Sequence, residues 1–431
     1  MTTEVIDLCR DLIRIDTTNT GDLATSAGER AAAEYVSEKL AEVGIEPTVL
    51  ESAPGRANVV ARIAGSDPSR GALLVHGHLD VVPADPSEWS VHPFSGEIKD
   101  GFLWGRGAVD MKDFDAMALA VVREWQRTGY VPPRDIVLCY TADEEAGSDW
   151  GATYLVDNHA HLFEGCTEAI GEVGGYSYSV TNDLRLYLIQ TAEKGIDWLK
   201  VHATGRPGHG SFVHDDNAVT NLCEAIARVG RHRFPIVITP TVRSFLEQVS
   251  EALGIEFDPD DPEATIAKLG PVAAIVGATI RNTVNPTGLQ AGYKHNVIPS
   301  KASATIDCRT LPGQFDLFRE QLMAVLGPDM QLETVHRQPA LETTFDGAIV
   351  DAMAAALRAE DPGAHAVPYM LSGGTDAKQF HRLGIRCFGF SPLKLPADLN
   401  FSALFHGIDE RVPLDALQFG VRVLDRFLRG S

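Results

Sequence analysis

The sequence predicts an α/β fold with a second, smaller α+β domain inserted into it. Apolar runs typical of buried strands alternate with amphipathic helical segments over about the first 185 residues. From residue 190 to 311 the strands instead alternate polar and apolar residues, and the first pattern returns after the turn at 311–313. We therefore expect a larger α/β domain formed by residues 1–189 and 312–431, whose sheet is covered by helices on both faces. Residues 190–311 are expected to form the smaller, inserted domain.

The elements of the larger domain follow from spacing and from stop signals. Apolar residues at helical spacing, with a glycine at the end as at Gly44 and Gly129, mark the helices. Continuous apolar stretches mark the strands. Helices are predicted at 29–43, 112–127, 153–158, 315–326 and 413–428, and strands at 58–63, 72–78, 135–141 and 386–390.

The smaller domain is predicted to have a β-α-β-β-like order. An acidic, proline-punctuated stretch at 234–270 interrupts it, and this stretch contains a helix near 244–253. The predicted strands are 186–189, 198–203, 271–279, 289–293 and 301–308, and the main helix is 217–229.

Composition narrows the classes of function. The chain has 431 residues. A single hydrophobic core usually contains fewer residues than this, so two or three domains are expected. Its net charge of −22 argues against nucleic acid or an anionic membrane as a partner, since both need basic patches. The six cysteines are scattered without a C-x-x-C pair, which indicates reduced thiols in a cytoplasmic protein. The first helix lacks the features of a signal peptide, and no apolar run is long enough to span a bilayer.

Histidine and carboxylate side chains gather where predicted strands end. His78 and Asp80 close the apolar run at 72–77, Asp110 follows a glycine-rich loop, and the pair Glu144-Glu145 follows another apolar run. Each has a structural explanation on its own: a satisfied strand-end histidine, a helix N-cap and a solvated loop. Like charges just after a buried strand nevertheless favour a bound cation.

Two further residues extend this set. Glu172 follows another short apolar strand, and His406 lies in a loop near the C-terminus. Together the residues supply two histidines and three carboxylates as ligands, with one glutamate to spare and Asp80 as the acceptor for the other N–H of His78. This donor set, without cysteine, suits zinc, cobalt or manganese in an open catalytic site.

Seven segments in order resemble the di-zinc amidohydrolase and metallopeptidase family that includes acetylornithine deacetylase, succinyl-diaminopimelate desuccinylase, aminoacylase-1 and glutamate carboxypeptidase. The segments are H-G-H-L-D-V-V-P at 76–83, G-R-G-A-V-D-M-K at 105–112, T-A-D-E-E-A-G-S at 141–148, G-R-P-G-H-G-S at 205–211, N-V-I-P-S-K-A at 296–302, S-G-G-T-D-A at 372–377 and F-H-G-I-D-E-R at 405–411. The resemblance implies a zinc-exopeptidase-like catalytic domain and a ferredoxin-like lid and dimerisation domain.

The resemblance also implies roles for the clustered residues. Asp110 would bridge two metal ions, zinc first with cobalt or manganese as alternatives. His78 and Glu172 would complete one site, and Glu145 with His406 the other. Glu144 would be the general base and Asp80 would orient His78 by accepting its other N–H. The family pattern further implies a cis peptide bond between Asp110 and Met111.

Residues outside the cluster match substrate-binding positions. By resemblance, His209 of the smaller domain reaches the partner subunit's active site in a homodimer and stabilises the oxyanion. Asn296 and Arg309 match positions for the substrate carbonyl and carboxylate. Gly373 and Gly374 match a loop whose backbone contacts substrate. A turn histidine, a surface ion pair and a simple turn are the structural alternatives for His209, Arg309 and the two glycines.

The implied reaction is hydrolysis of an amide beside a free carboxylate, in an N-acyl amino acid or a short peptide. Glutamate at position 172 favours the deacylase and aminoacylase members over the strict peptidases. A dipeptidase or carboxypeptidase is the alternative within the class, and a catalytically silent metal-dependent binding protein is the alternative outside it. A serine or cysteine hydrolase is disfavoured, because the chain has no G-x-S-x-G motif.

Overall fold

The helices form where amphipathic spacing predicts most of them. A computed structural model describes residues 1–181 and 184–431 of the chain. In these residues the helices are α1 (Glu4–Arg14), α2 (Arg30–Ala41), α3 (Lys112–Thr128), α4 (Ala152–His159), α5 (Ala218–Arg231), α6 (Pro240–Leu253), α7 (Pro262–Lys268), α8 (Ala273–Val276), α9 (Phe315–Leu326), α10 (Ala348–Glu360), α11 (Ala377–His381) and α12 (Leu414–Gly430).

The strands fall into one large sheet and several smaller ones. They are β1 (Thr48–Ala53), β2 (Arg56–Ile63), β3 (Ala72–His78), β4 (Glu97–Lys99), β5 (Phe102–Trp104), β6 (Ile136–Thr141), β7 (Cys166–Gly171), β8 (Ser177–Ser179), β9 (Arg185–Glu193), β10 (Gly195–Thr204), β11 (Gly208–His209), β12 (Thr283–Ala291), β13 (Val297–Ile298), β14 (Lys301–Thr310), β15 (Gln331–Gln338), β16 (Leu341–Glu342), β17 (Ala364–Leu371), β18 (Arg386–Gly389) and β19 (Arg411–Pro413).

The first of two compact units comprises residues 1–191, 345–368 and 375–431. Its sheet has the strand order β1-β2-β6-β3-β7-β18-β9. The four strands β6, β3, β7 and β18 run parallel, and β1, β2 and β9 join antiparallel. Both β3 and β6 are buried along their whole length, as expected of central parallel strands. The mixed sheet of the predicted α/β class is therefore confirmed.

Helices cover both faces of this sheet. Gly77 lies so close to Asp115 and Met111 that a Cβ at this position would clash with both, which places α3 over one face of β3. The next residue towards the N-terminus, His76, packs its ring 4.9 Å from the ring of Phe380 on α11. Successive strand residues point to opposite faces, so α3 and α11 cover opposite sides. Around α3 pack α1, α2 and α12, whose apolar side chains share one core with the sheet.

The direction of the parallel strands positions the predicted metal ligands. The carboxyl ends of β3, β6 and β7 lie at the same edge of the sheet, which is where open α/β sheets bind ligands. His78 ends β3, the Glu144-Glu145 pair follows β6, and Glu172 follows β7. Residues that are far apart in sequence are therefore brought to one edge.

The second unit comprises residues 192–344 and 369–374. Its four-stranded antiparallel sheet has the order β12-β14-β10-β15. Along the chain the order is β10-α5-β12-β14-α9-β15, a β-α-β-β-α-β unit of the ferredoxin-like kind. Its own apolar core includes buried side chains of α5, α9 and the sheet.

The second unit extends beyond the predicted boundary at residue 311. The helix at 315–326 was assigned to the larger domain, but α9 packs on α5 within the second unit. Strand β15 then pairs with β10. A β-α-β-β-α-β unit needs both halves to bury its sheet, so the segment after the turn at 311–313 completes this unit rather than leaving it.

The segment at 271–279 was predicted to be a strand, and this prediction is wrong. It forms a short 3₁₀ turn at Gly270–Val272 followed by α8. Short apolar runs do not distinguish a strand from a buried helix by periodicity. The acidic stretch before it forms α6 and α7, whose first turns are capped by Thr239 and Asp261. Among the described residues, no helix is both long and apolar enough to cross a membrane.

Candidate metal centre

His78 is fixed at the end of β3 with one ring nitrogen free. Its Nδ1 lies 3.0 Å from the main-chain oxygen of Asp80, and since a carbonyl can only accept, Nδ1 carries the proton. The Nε2 atom lies 3.2 Å from Asp110 Oδ1; it donates to this carboxylate when the ring is protonated and offers a lone pair to a cation when the ring is neutral. Burial opposes protonation, yet the neighbouring carboxylates, Glu172 foremost, raise the pKa of His78 well above its usual range.

Asp80 contacts His78 through its main-chain oxygen rather than through its carboxylate. Its carboxylate lies 3.6 Å from His78 Nδ1, so the imidazole N–H goes to the main-chain carbonyl and not to the carboxylate. The carboxylate instead accepts the backbone N–H groups of Glu144 and Glu145, each at 3.1 Å. Asp80 therefore orients the histidine through its backbone and the Glu144-Glu145 turn through its side chain.

Asp110 lies at the centre of the cluster. One carboxylate oxygen is 3.2 Å from His78 Nε2 and the other is 3.2 Å from His406 Nε2. Burial would raise the pKa of Asp110, but hydrogen bonds to His406 and His78 outweigh it and hold the pKa below its usual range. The peptide bond between Asp110 and Met111 is cis, as the family resemblance implied.

The Glu144-Glu145 pair occupies a 3₁₀ turn directly after β6. Glu145 Oε2 lies 3.0 Å from His406 Nε2, whereas Glu145 Oε1 is buried without a hydrogen-bond partner in the described residues. Glu144 Oε2 lies 3.9 Å from His78 Nε2. Burial, followed by the charge of Glu172, raises the pKa of Glu144 well above its usual range.

Glu172 and His406 complete the cluster from opposite environments. Glu172 is buried after β7, its Oε2 lies 3.6 Å from His78 Nε2, and burial raises its pKa to about 8. The His406 side chain is 57% exposed and its backbone is left-handed, at φ 56°. Hydrogen bonds to Asp110 and Glu145 raise the pKa of His406 to about 10.

These side chains form two groups that could each hold a metal ion. The first group is His78, Asp110 and Glu172, and the second is Asp110, Glu145 and His406; within each group the ligand atoms lie within 4.8 Å of one another. Asp110 belongs to both. Glu145 Oε1 is buried without a hydrogen-bond partner among the described residues, which costs free energy unless a cation or water reaches it. The donor set and this oxygen fit a pair of divalent cations.

Three residues that support the cluster were not assigned a role from sequence. Glu410 Oε1 accepts the N–H groups of Val109 and Asp110, and its other oxygen lies 2.6 Å from Arg106. Asp376, buried, accepts hydrogen bonds from Thr141 and Ser148 on either side of the Glu144-Glu145 turn. Arg106, Asp376 and Glu410 all lie inside the seven segments that resemble the family, and the sequence has no other signal for these residues.

The substrate-binding candidates lie in the second unit. His209 and Asn296 are neighbours there, because β11 pairs with β13 and Gly210 donates to the Asn296 carbonyl at 3.0 Å. Arg309 makes a two-point ion pair with Asp307, at 2.8 and 3.1 Å; this is the structural alternative for that residue. Gly373 and Gly374 follow β17.

Residues 74–430 match the family described as Peptidase family M20/M25/M40. The chain belongs to this family. It is thus an M20 metallohydrolase, and the resemblance drawn from the seven motifs is confirmed.

Curated relatives in the M20 family span most of the chain. Aminoacylase-1 of Sus scrofa is 27% identical over 414 residues, covering 92% of this chain and 89% of that protein. The N-fatty-acyl-amino acid synthase/hydrolase PM20D1 of Xenopus tropicalis is 24% identical over 466 residues, covering 99% and 86%.

Solved M20 structures share the fold. The metallo-carboxypeptidase Sso-CP2 from Sulfolobus solfataricus superposes with a TM-score of 0.73 at 19% identity, with 99% of both chains covered. The di-peptidase Dug1p from Saccharomyces cerevisiae gives a TM-score of 0.70 at 18% identity, with 99% of this chain and 95% of that chain covered. At these identities the likeness concerns the architecture alone.

Proposed function

We propose that this M20 enzyme hydrolyses the amide bond of N-acyl amino acids. The observation that carries the proposal is the pair of ligand groups sharing Asp110, with Glu144 beside them but in neither group. A carboxylate that is close to the cations and not needed to hold them is free to transfer protons. The coverage of aminoacylase-1 over both chains supports the acyl-amino-acid substrate.

The chain's residues divide the work as follows. His78, Asp110 and Glu172 would hold one divalent ion, and Asp110, Glu145 and His406 the other, with zinc preferred over cobalt or manganese for these donors. Such ions supply a water of lowered pKa and a polarising contact for the substrate carbonyl. Cysteine takes no part in the proposed ligand set.

Glu144 is the proposed general base. It would take one proton from the attacking water while the new carbon–oxygen bond forms, and it would give that proton to the nitrogen as the carbon–nitrogen bond breaks. Burial is the first cause of the raised pKa of Glu144, and a pKa above the usual carboxyl range suits a group that must both accept and return a proton.

His209 is the proposed donor to the oxyanion, acting by family resemblance in the partner subunit's active site of a homodimer. Its Nδ1 lies 3.2 Å from the backbone nitrogen of Ser211, which can only donate. Nδ1 is therefore the acceptor and Nε2 carries the proton, which leaves an N–H donor for a developing negative oxygen. Asn296 beside it would contact the substrate carbonyl.

Arg309 is the proposed partner of the substrate carboxylate, with the backbone at Gly373 and Gly374 completing the contacts. A guanidinium binds a carboxylate through two parallel hydrogen bonds. Asp307 occupies the Nε and Nη2 edge of Arg309, so the substrate carboxylate would bind at the Nη1 and Nη2 edge. We also propose that the second unit acts as lid and dimerisation domain and that the enzyme is cytoplasmic. The six free thiols, among them the exposed Cys223, support a reducing compartment.

The base assignment is tested by Glu144→Ala, which should lower kcat by at least about 10²–10⁴-fold while two metal ions per chain remain bound. Metal content by elemental analysis and kcat on N-acetyl amino acids are measured together. Glu38→Ala on the exposed face of α2 is the matched control. Near-normal turnover in Glu144→Ala would refute the assignment.

The substrate class is tested with N-acetyl amino acids against dipeptides, each also offered with its carboxylate converted to an amide. The proposal expects the acyl amino acids to be cleaved and the carboxylate-free versions to lose most of their kcat/KM. Faster cleavage of dipeptides would assign a peptidase instead. Absence of turnover with zinc, cobalt and manganese would favour a binding protein.

A further inference from the structure

The loop after α1 runs beside the segment that follows His78. Thr17 Oγ1 donates to the Leu79 carbonyl at 2.6 Å, and Asn19 donates its backbone N–H to the Val81 carbonyl at 2.8 Å. The Asn19 side chain is only 3% exposed. The position of this amide is therefore set by main-chain bonds to the same stretch that carries Asp80.

Every polar atom of the Asn19 side chain has a partner. Its Nδ2 donates to Asp80 Oδ2 at 2.8 Å and to Asp143 Oδ1 at 3.0 Å. Its Oδ1 accepts from Arg56 Nη2 at 2.8 Å and from the Gly21 backbone N–H at 3.0 Å. Ser26 Oγ donates a fifth, longer bond to the same oxygen at 3.3 Å. An amide has two N–H donors and one oxygen with two lone pairs, so these bonds use its full capacity. The reversed amide would place an oxygen against two carboxylates.

The two carboxylates that Asn19 contacts carry the turn with the proposed base. Asp80 accepts the N–H groups of Glu144 and Glu145. Asp143 is the residue before them, in the left-handed region at φ 64°, and its Oδ2 accepts from the Trp150 backbone nitrogen at 3.1 Å. The Asn19 amide therefore contacts both of the carboxylates that hold the Glu144-Glu145 turn.

Arg56 supplies the positive charge behind this amide. Its guanidinium is buried, pairs with the buried Glu29, and lies 3.5 Å from Asp143 Oδ1. Buried carboxylates repel one another strongly unless donors and cations lie between them. Asn19 bonds Arg56 through its oxygen and the carboxylates of Asp80 and Asp143 through its nitrogen, beside the direct Arg56–Asp143 ion pair.

We propose that Asn19 is a positioning residue, which holds Asp80 and Asp143 so that the Glu144-Glu145 turn presents one glutamate to the metal and the other to the substrate. The inference rests on the proposed function for what the turn does. Asn19 itself touches neither metal nor substrate. Its effect passes through Asp80, and loss of an outer hydrogen bond of this kind typically costs about 10–100-fold in metal affinity or activity.

The test compares Asn19→Asp and Asn19→Ala with Asn282→Ala, a control in the second unit. Asn282 is also buried and accepts one backbone hydrogen bond, from Leu311 at 2.7 Å. The metal-free proteins are titrated with Zn²⁺ against a coloured chelator, and the melting temperature, kcat and KM are measured for each. Asn19→Asp keeps the size of the side chain but replaces its donors with a third negative charge.

We expect Asn19→Asp to lower zinc affinity or kcat by about 10–100-fold with little change in KM, and Asn19→Ala to show a smaller loss. Asn282→Ala should lower the melting temperature without changing zinc affinity. Zinc affinity and kcat within twofold of the unchanged protein in both Asn19 variants would overturn the proposal. So would equal losses of zinc affinity in Asn19→Ala and Asn282→Ala.

If Asn19→Asp does not fold, Asn19→Ala decides, because it removes the donors without adding charge. Zinc titration needs no substrate, so it separates the two proposals. A protein that binds zinc through the Asn19-supported turn but cleaves no acyl amino acid would contradict the proposed substrate and leave the positioning role standing.

Discussion

The two ligand groups share Asp110 but differ in how firmly their other members are held. In the first group, His78 and Glu172 are both buried at strand ends, and the His78 ring is fixed by a main-chain carbonyl. In the second, His406 is 57% exposed on a loop with left-handed backbone. The sheet edge therefore positions the side chains of the first group, whereas the second group needs His406, which lies on a loop. Loops are generally more mobile than the strands they connect.

The difference has a chemical reading. A bound cation strongly stabilises a buried group of two carboxylates and one histidine, because it neutralises buried charge. Such a group also releases its cation slowly, because water cannot easily replace the ligands. A group with an exposed histidine can exchange its ion and admit substrate. We therefore expect the ion at His406 to be the more easily removed of the two.

The largest effect is expected from Asp110→Ala, which breaks both groups at once. Metal content should fall from two ions to nearly none at concentrations that fill the unchanged protein. Loss of several kcal/mol of charge stabilisation corresponds to a decrease in kcat of about 10³-fold or more. Elemental analysis and kinetics check this, with Asp149→Ala, an exposed aspartate, as the control. Retention of two ions would contradict the shared ligand.

The next effect separates the groups. His406→Ala should lower the affinity for one ion by more than about 100-fold, since loss of a direct ligand exceeds loss of an outer hydrogen bond. Above about pH 10, where the imidazole has lost its stabilising proton, the variant should leave the metal-free protein nearly as stable as before. His78→Ala should also lose one ion, but it should destabilise the metal-free protein by about 2–4 kcal/mol through a buried cavity. Urea unfolding without metal distinguishes them. Equal destabilisation would contradict the contrast.

A third prediction concerns pH without metal. The pKa of Glu172, about 8, and of His406, about 10, lie above the ordinary values of 4.5 and 6.5. Between those limits the folded protein holds more protons than the unfolded one, so its stability falls as pH rises, from 4.5 to 8 for Glu172 and from 6.5 to 10 for His406. Cations bound by the two groups would take the place of these protons.

The melting temperature of the metal-free protein should therefore fall from pH 5 to 9, and the gap to the zinc-loaded protein should widen. Thermal unfolding with zinc and with a chelator measures both curves. Glu172→Gln, which cannot ionise, should flatten the lower part of the metal-free curve. Parallel curves for the two forms would count against the assignment of these pKa shifts to the ligand groups.

The smallest effect is expected from Ser148→Ala, which weakens the support of the Glu144-Glu145 turn. The variant removes one hydrogen bond to Asp376 and leaves the one from Thr141. A bond to a charged group contributes about 1.5–3 kcal/mol, so stability should fall by about that amount with little change in metal content. Loss of an ion would show that Ser148 matters more than this single bond predicts.

The sequence sufficed for residues whose neighbours are set by strand direction. His78, Glu144 and Glu172 follow apolar strands, and parallel pairing alone brings such strand ends together. His406 required the family motif, because its loop carries no periodic signal. Spacing paired Asp80 with His78 but did not identify which Asp80 oxygen accepts the N–H, since the choice between backbone and side-chain oxygens depends on local geometry.

Other features depend on contacts too distant for a pattern to reveal. Asn19 meets residues 61 and 124 positions away, and nothing in its own segment marks it. The extent of the second unit was missed for the same reason: β15 pairs with β10 across more than a hundred residues of chain. Strand β15 is mostly exposed, so it lacks the apolar run that marks a central strand.

Asp110, described above as common to both groups, also determines how the ions fill. An ion held at one side would draw electron density from the carboxylate and place a positive charge beside the other side. Binding at the two sides is therefore coupled, and each ion should alter the affinity for the other by the same factor. A titration curve for this protein should need an interaction constant, and two independent dissociation constants should fail to describe it.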